Sequence, residues 1–150
     1  MAQSLAKLHI HLVFSTKQRE RVLSDQIRDA LHRYISSVSG NNNCPVIIVN
    51  SVPDHVHILF ELGRTMSVSS IAEEIKRTSS KWLKSQNDLY SAFRWQAGYA
   101  AFAISAKDVA GVVAYISMQQ VHHMTQTFPE EYRQILIEND ISFDERYLWD

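Results

Sequence analysis

Two alternating stretches carry paired histidines: LHIHLVFS, with His9 and His11, and PDHVHILFEL, with His55 and His57. In an extended strand, residues two apart share a face, so each pair can hold one divalent cation through neutral ring nitrogens. Two ligands are too few for a useful metal site, and a third must come from elsewhere. The segment VAGVVAYISMQQVHH, 109–123, offers one. On a helical wheel of about 100° per residue, Val109, Val113 and Ile116 centre an apolar face; Tyr115, Gln119 and His122 fall within roughly 60° of one another at its edge. Tyr115 and Gln119, four apart, have Cβ atoms about 5 to 6 Å from each other. An amide oxygen such as that of Gln119 is a hard ligand suited to Mg²⁺ or Mn²⁺. With Gln119 on the cation, Tyr115 sits one helical turn away.

That set suits phosphoryl transfer. A metal polarises a phosphodiester while a tyrosine hydroxyl attacks phosphorus and becomes covalently attached. The phenol's ordinary pKa of about 10 leaves it protonated at neutral pH, so a base or the metal must help it ionise. A phosphotyrosine stores the broken bond, and a free hydroxyl on another strand can reseal it without ATP. The same residues also admit plainer roles. A histidine pair can be packed or solvent-facing, a tyrosine beside an apolar stripe can pack with its hydroxyl wet, and His122 and His123 can be surface residues or weak bases.

The elements that must position these groups follow from periodicity and turn chemistry. A first strand is expected over about Lys7 to Ser15, then a helix with Ser24 as N-cap and Ile27, Leu31, Tyr34, Ile35 and Val38 at helical spacing, ending at Gly40. GNNNCP, 40–45, reads as a turn. Pro45 to Ser51 and His55 to Leu62 form antiparallel neighbours around Pro53 and Asp54. Val56, Ile58, Phe60 and Leu62 then share one face, and His55, His57, Leu59 and Glu61 the other. A second helix begins near Ser67 or Ser70, with Val68, Ala72, Ile75 and Trp82 on its apolar side. Arg77, Lys81 and Lys84 stripe its other side, a solvated face or a track for phosphates. FRWQAGYAAFAIS, 93–105, predicts a hairpin turning near Gly98. Ser105 and Asp108 resemble a capping box opening a long helix to about Gln126, and Thr127, Pro129 and Glu130 start a last helix before an irregular tail. The order β, α, β, β, α, β, β, α, α indicates an α+β sandwich with a largely antiparallel sheet.

Composition sets the frame. A chain of 150 residues with 45% hydrophobic and 21% charged side chains is expected to form one soluble domain, 1–150. Its single cysteine, Cys44, excludes an internal disulfide. No signal-peptide apolar block and no run of about 18 apolar residues is present, so the cytoplasm is the expected compartment and no membrane partner is expected. Net charge is −1, yet residues 130–150 carry seven acids against Arg133 and Arg146, leaving thirteen basic and nine acidic side chains in residues 1–129. A mildly basic body bears an acidic tail.

The blocks HLVFSTKQR, PDHVHILFEL, SSKWL, WQAGYAAFAIS, YISMQQVHH and DERYLW, in this order and across nearly the whole chain, resemble the single-tyrosine HUH transposases of bacterial and archaeal insertion sequences, with the REP-associated tyrosine transposases as a related branch. The resemblance implies a ferredoxin-like, RNA-recognition-type sandwich. It implies His55 and His57 as metal ligands, Gln119 as the third, Tyr115 as nucleophile, and Mg²⁺ or Mn²⁺ as the cofactor. It implies cleavage and rejoining of single-stranded DNA through a 5′-phosphotyrosine, recognition of hairpins at element ends, and a homodimer in which the tyrosine helix of one subunit completes the site of the other. Arg77, Lys81 and Lys84 are candidate backbone contacts. The location implied is the bacterial or archaeal cytoplasm, on the nucleoid. His11 matches a first-strand histidine of the family to which no metal role is given, while His9 has no match; a packed or hydrogen-bonded role is expected for both. Met118 stands where members often carry asparagine, and Ala100 and Ala103 replace frequent glycine and serine. The alternatives are a domesticated enzyme acting on chromosomal palindromes, a non-catalytic nucleic-acid-binding module, and a phosphodiesterase using water.

Overall fold

A computed structural model describes residues 2–150. Strand β1, His9–Ser15, is buried along its whole length because it lies inside the sheet with helices on both faces. Helix α1, Asp25–Asn41, follows, then β2, Val46–Val52, and β3, His55–Glu61, joined by the tight turn at Pro53 and Asp54. Helix α2, Val68–Gln86, is capped by Ser67, whose hydroxyl accepts from Ser70 N–H. Strand β4, Ala100–Ile104, completes the sheet. Helices α3, Val109–Ser117, α4, Gln119–His122, and α5, Phe128–Glu138, close the chain. All strand pairs are antiparallel, in the spatial order β2-β3-β1-β4. The βαββαβ succession with this order is the ferredoxin-like sandwich the sequence predicts.

Alternation divides the sheet into two chemically distinct faces. Ile10, Leu12 and Phe14 of β1 and Val56, Ile58 and Phe60 of β3 meet Leu31 and Ile35 of α1 and Ile71, Ile75 and Leu83 of α2 in the larger core. On the reverse face, Val13, Ala100 and Phe102 meet Phe128, Tyr132 and Leu136 of α5. His11, His55 and His57 share that reverse face. The larger core anchors the sheet, leaving the second face free to spend positions on polar side chains.

Two expectations fail for one reason, a tertiary partner that the local pattern does not contain. The predicted 93–105 hairpin does not form. Its first arm lies beside the end of β1 instead: Trp95 bridges Thr16, Gln96 N–H donates to Ser15 O at 2.9 Å, and the Gln96 side-chain oxygen accepts from Ser15 N–H at 2.8 Å. Both arms therefore pair with β1, one after the other, and not with each other. The long helix from 109 to 126 breaks at Met118, where ψ turns to 16°. Asn50 of β2 donates its side-chain N–H to Ile116 O at 2.7 Å, taking the carbonyl that a continuing helix would give to residue 120. The Gln120 amide answers by donating to Asn50 Oδ1 and Ser51 O at 3.0 and 3.1 Å, which fastens the break to β2. The apolar side of α2 is also shifted: Ile71, Ala72, Ile75, Ser79 and Leu83 are its buried residues, while Trp82 is half-buried and stacks on Tyr34 of α1 at 5.1 Å.

Candidate active site

Antiparallel register brings the two histidine strands together, with Val13 opposite His57 and Ser15 opposite His55. His11, two residues before Val13, reaches His57: His11 Nε2 lies 2.8 Å from His57 Nδ1, and the rings stack at 5.1 Å. The turn that precedes β3 supplies Asp54, whose Oδ1 lies 2.7 Å from His55 Nδ1. Both Nδ1 atoms are thus engaged, and both Nε2 atoms turn toward the helices above the sheet. These neighbours fix ring orientation in the manner of outer partners of metal-binding histidines.

Above the pair stands a carboxylate. Glu131 of α5 is 1% exposed, and its Oε1 lies 3.1 Å from His55 Nε2, 3.2 Å from His57 Nε2 and 3.0 Å from His123 Nε2. Its Oε2 accepts from Gln119 Nε2 at 2.9 Å and from the Tyr115 hydroxyl. Gln119 Oε1 lies 3.3 Å from His55 Nε2. The break at Met118 does not part Tyr115 from Gln119, since both reach the same carboxylate from the two sides of it. His122 lies beside the phenol, ring centroids 5.1 Å apart.

Burial and charge oppose each other throughout the cluster. Burial works to raise the Glu131 carboxyl, but the imidazoles of His123, His55 and His57 outweigh it and hold it well below the usual carboxylate range. Burial works to lower His55, yet Asp54 and Glu131 on its two nitrogens raise it above its ordinary value. His57 is lowered by complete burial despite Glu131. His11 is pulled down to about 3 by burial and by neighbouring His57, so it is neutral at physiological pH. Burial and then the Glu131 charge raise the Tyr115 phenol above its ordinary value.

The donor set fits a divalent cation. One nitrogen from His55, one from His57 and one oxygen from Glu131 all lie within 4.8 Å of one another, and Gln119 adds an amide oxygen nearby. A buried anion facing imidazoles and an amide has the charge and atom types that such an ion takes. Four of the residues singled out by spacing, His55, His57, Tyr115 and Gln119, therefore meet. Arg77, Lys81 and Lys84 do not join them: they are exposed on α2, across the sheet, and Arg77 pairs with Glu74 at 2.7 Å. Glu131 escaped the sequence reading, where it counted only as part of an acidic tail. Its signal was an acid three residues after Phe128 and four before Ile135, inside the apolar stripe of a helix, where charge is seldom placed without a partner. His11, expected to be packed or hydrogen-bonded, is so, against His57; which partners His11, Asp54 and His123 find was not legible, because only the register and the 123–127 turn bring them in.

Residues 4–119 match the sequence profile of a family described as "Transposase IS200 like". The chain is 24% identical over 118 residues to the ISDra2 transposase TnpA of Deinococcus radiodurans, covering 75% of this chain and 84% of that one. It is 30% identical over 114 residues to the transposase for insertion sequence element IS200 of Salmonella typhimurium, covering 73% and 74%. Among solved structures, a putative transposase from D. radiodurans superposes with a TM-score of 0.62 at 23% identity, covering 79% of this chain and 98% of that one. A REP-associated tyrosine transposase bound to a REP hairpin superposes with a TM-score of 0.60 at 22% identity, covering 82% and 73%. These two likenesses concern the fold.

Proposed function

Because the chain belongs to the IS200-like transposase family, we propose that it cleaves and rejoins single-stranded DNA, with Tyr115 as nucleophile and His55, His57, Gln119 and Glu131 as the holders of a divalent cation. One observation carries this reading: the Tyr115 hydroxyl, the Gln119 amide and the Nε2 atoms of both strand histidines converge on a single buried carboxylate. Mg²⁺ or Mn²⁺, when bound, supplies polarisation of the phosphodiester and favours the phenolate.

The chain's own residues divide the rest of the work. Asp54 and His11 hold the two imidazoles by their Nδ1 atoms. For His57 to offer a lone pair at Nε2, its proton must sit on Nδ1 and be donated to His11, a bond that neutral His11 can accept. Glu131 holds the tyrosine hydroxyl, and the proton leaves along that hydrogen bond as Oη attacks phosphorus. The bond from phosphorus to the 3′ oxygen breaks, the departing oxygen takes up a proton, and the 5′ phosphate stays on Tyr115. Attack by another strand's 3′ hydroxyl reverses these transfers and releases the tyrosine.

The substrate proposed is single-stranded DNA with a hairpin, as the family resemblance implies and as the ligand of the REP-associated neighbour suggests. Such a task belongs beside the chromosome, in the cytoplasm of a bacterium or archaeon. No helix among the described residues is long and apolar enough to cross a membrane. The resemblance implies a homodimer that exchanges tyrosine helices, and this is the arrangement proposed; within one chain the Tyr115 and His57 rings lie 5.8 Å apart, and mixing complementary variants tests the exchange. Processing of chromosomal palindromes would use the same chemistry, and the DNA flanking the gene distinguishes the two tasks.

Incubation with end-labelled hairpin DNA and Mg²⁺ or Mn²⁺ tests the proposal. A covalent protein–DNA adduct is expected, and its loss in Tyr115→Phe. Hydrolysis without an adduct would replace the reading with a phosphodiesterase using water, and binding without cleavage would leave a binding module.

A further inference from the structure

Beside the candidate centre lies a cationic loop that the proposed chemistry leaves unused. Lys17, Arg19 and Arg21 fall within five residues, opposed only by Glu20, and Lys17 N–H donates to Arg94 O at 2.9 Å, adding a fourth cation. Among the described residues, none of these four pairs with a carboxylate within ion-pair distance, whereas Arg28, Arg77, Arg133 and Arg146 all do. We infer that the loop Lys17–Arg21, together with Arg94, is the track that carries the phosphates of a single DNA strand to the centre. The inference rests on the proposed function and names the surface through which the substrate arrives.

Position is the first argument. Thr16 N–H donates to Asp54 O at 2.9 Å and Leu23 N–H to Pro53 O at 3.0 Å, so both ends of the loop are fastened to the turn that leads into His55. A cavity of about 400 Å³ joins the two regions, with Arg21, Asp54, His123, Thr125 and Thr127 in its wall. A strand running past Arg21 therefore enters beside His123 and the carboxylate cluster. The α2 stripe belongs to a helix packed on the opposite face of the sheet from the histidines.

Local conformation is the second. Gln18 and Arg19 both hold positive φ, 56° and 57°, a region that side-chain-bearing residues seldom adopt, and such backbone gathers at sites that grip ligands. Arg19 Nε is shielded from solvent with no hydrogen-bond partner, while its guanidinium lies 4.6 Å over the Trp149 ring. A second cavity, about 310 Å³, is lined by Lys17, Arg94, Trp95 and Trp149, with Asp150 as an opposing charge. Trp95 belongs to the core, edge-on to Phe14 and Phe93, so the half-buried Trp149 is the ring of this wall that a base could meet, beside cations that pair with phosphates.

The test is salt-dependent binding of a fluorescent single-stranded hairpin oligonucleotide in EDTA, read by anisotropy. Each lost phosphate contact on a single strand lowers the slope of log affinity against log salt by about 0.7. The triple variant K17A/R21A/R94A is therefore expected to lose roughly 2 of that slope. The single variants R21A and R94A, each expected to lose about 0.7, keep the test readable should the triple fold poorly. An unchanged slope in the folded triple, or a slope lost in R77A/K81A/K84A but kept in the loop variants, would overturn the inference. Adduct formation by the wild type separates the two readings: an adduct with an unchanged loop slope removes the track alone, while neither adduct nor binding removes both.

Discussion

A carboxylate encircled by three imidazoles, an amide and a phenol governs the chemistry of its neighbours more than any other group in this molecule. Glu131→Gln keeps the shape and removes the charge. In the metal-free protein its phenol partner, Tyr115, is held above the ordinary value first by burial and then by that charge. The substitution is therefore expected to lower the Tyr115 pKa while leaving it above about 10, the ordinary value. Absorbance near the phenolate band, taken as the difference between E131Q and E131Q/Y115F, measures this against the corresponding wild-type pair; a shift upward would refute the assignment. Affinity for Mn²⁺ should fall in the same variant by at least about tenfold. His11→Asn removes a neutral partner of His57, and a loss of roughly 10- to 100-fold in metal affinity with an unchanged melting temperature is expected. Side chains within one helical turn or one strand pair were legible from spacing: His55, His57, Tyr115 and Gln119. Glu131 was not, and neither were the partners of His11 and His123, because those contacts depend on register and on how α5 crosses the sheet.

Helix α5 owes its position to its first turn. Thr127 accepts from Glu130 N–H at 3.3 Å, one residue before the acid that enters the cluster. Thr127→Ala should cost about 1 kcal/mol in urea unfolding. Helix α2 anchors the opposite face, and Ile75→Ala there should cost about 2 to 5 kcal/mol. The same helix sends Lys76 to the carbonyls of Ala97 and Gly98, at 3.0 and 2.9 Å, just ahead of β4. Burial lowers this amine to about 8. The unfolded chain keeps the proton to about 10.4, so between the two values the native state binds fewer protons and its stability rises with pH. The stability of the wild type relative to Lys76→Met should therefore increase between pH 8 and 10, and a flat or falling difference would contradict it. Four strands and the flanking helices were legible in the alternation and the capping residues. The Met118 break and the lost hairpin were not, since Asn50 and Ser15, which cause them, are far away in sequence.

The sheet sorts the whole molecule into a side that carries the larger core and a side that gathers the histidines, Glu131 and Tyr115. If a site forms within one chain, mixing Tyr115→Phe with His57→Ala proteins restores no adduct, because neither chain has both groups. Recovered adduct would demonstrate exchange of helices between subunits. The members of the cluster are also strung far apart along the chain: 46 residues separate His11 from His57, and 74 separate His57 from Glu131. Synthesis delivers them in that order. A ribosome can release β1 and β3 with their imidazoles paired while the acid that joins them is still untranslated, so an interrupted polypeptide would own the ring pair without the group that tethers the phenol. Translation itself thereby delays the assembly of the cluster until α5 has been made.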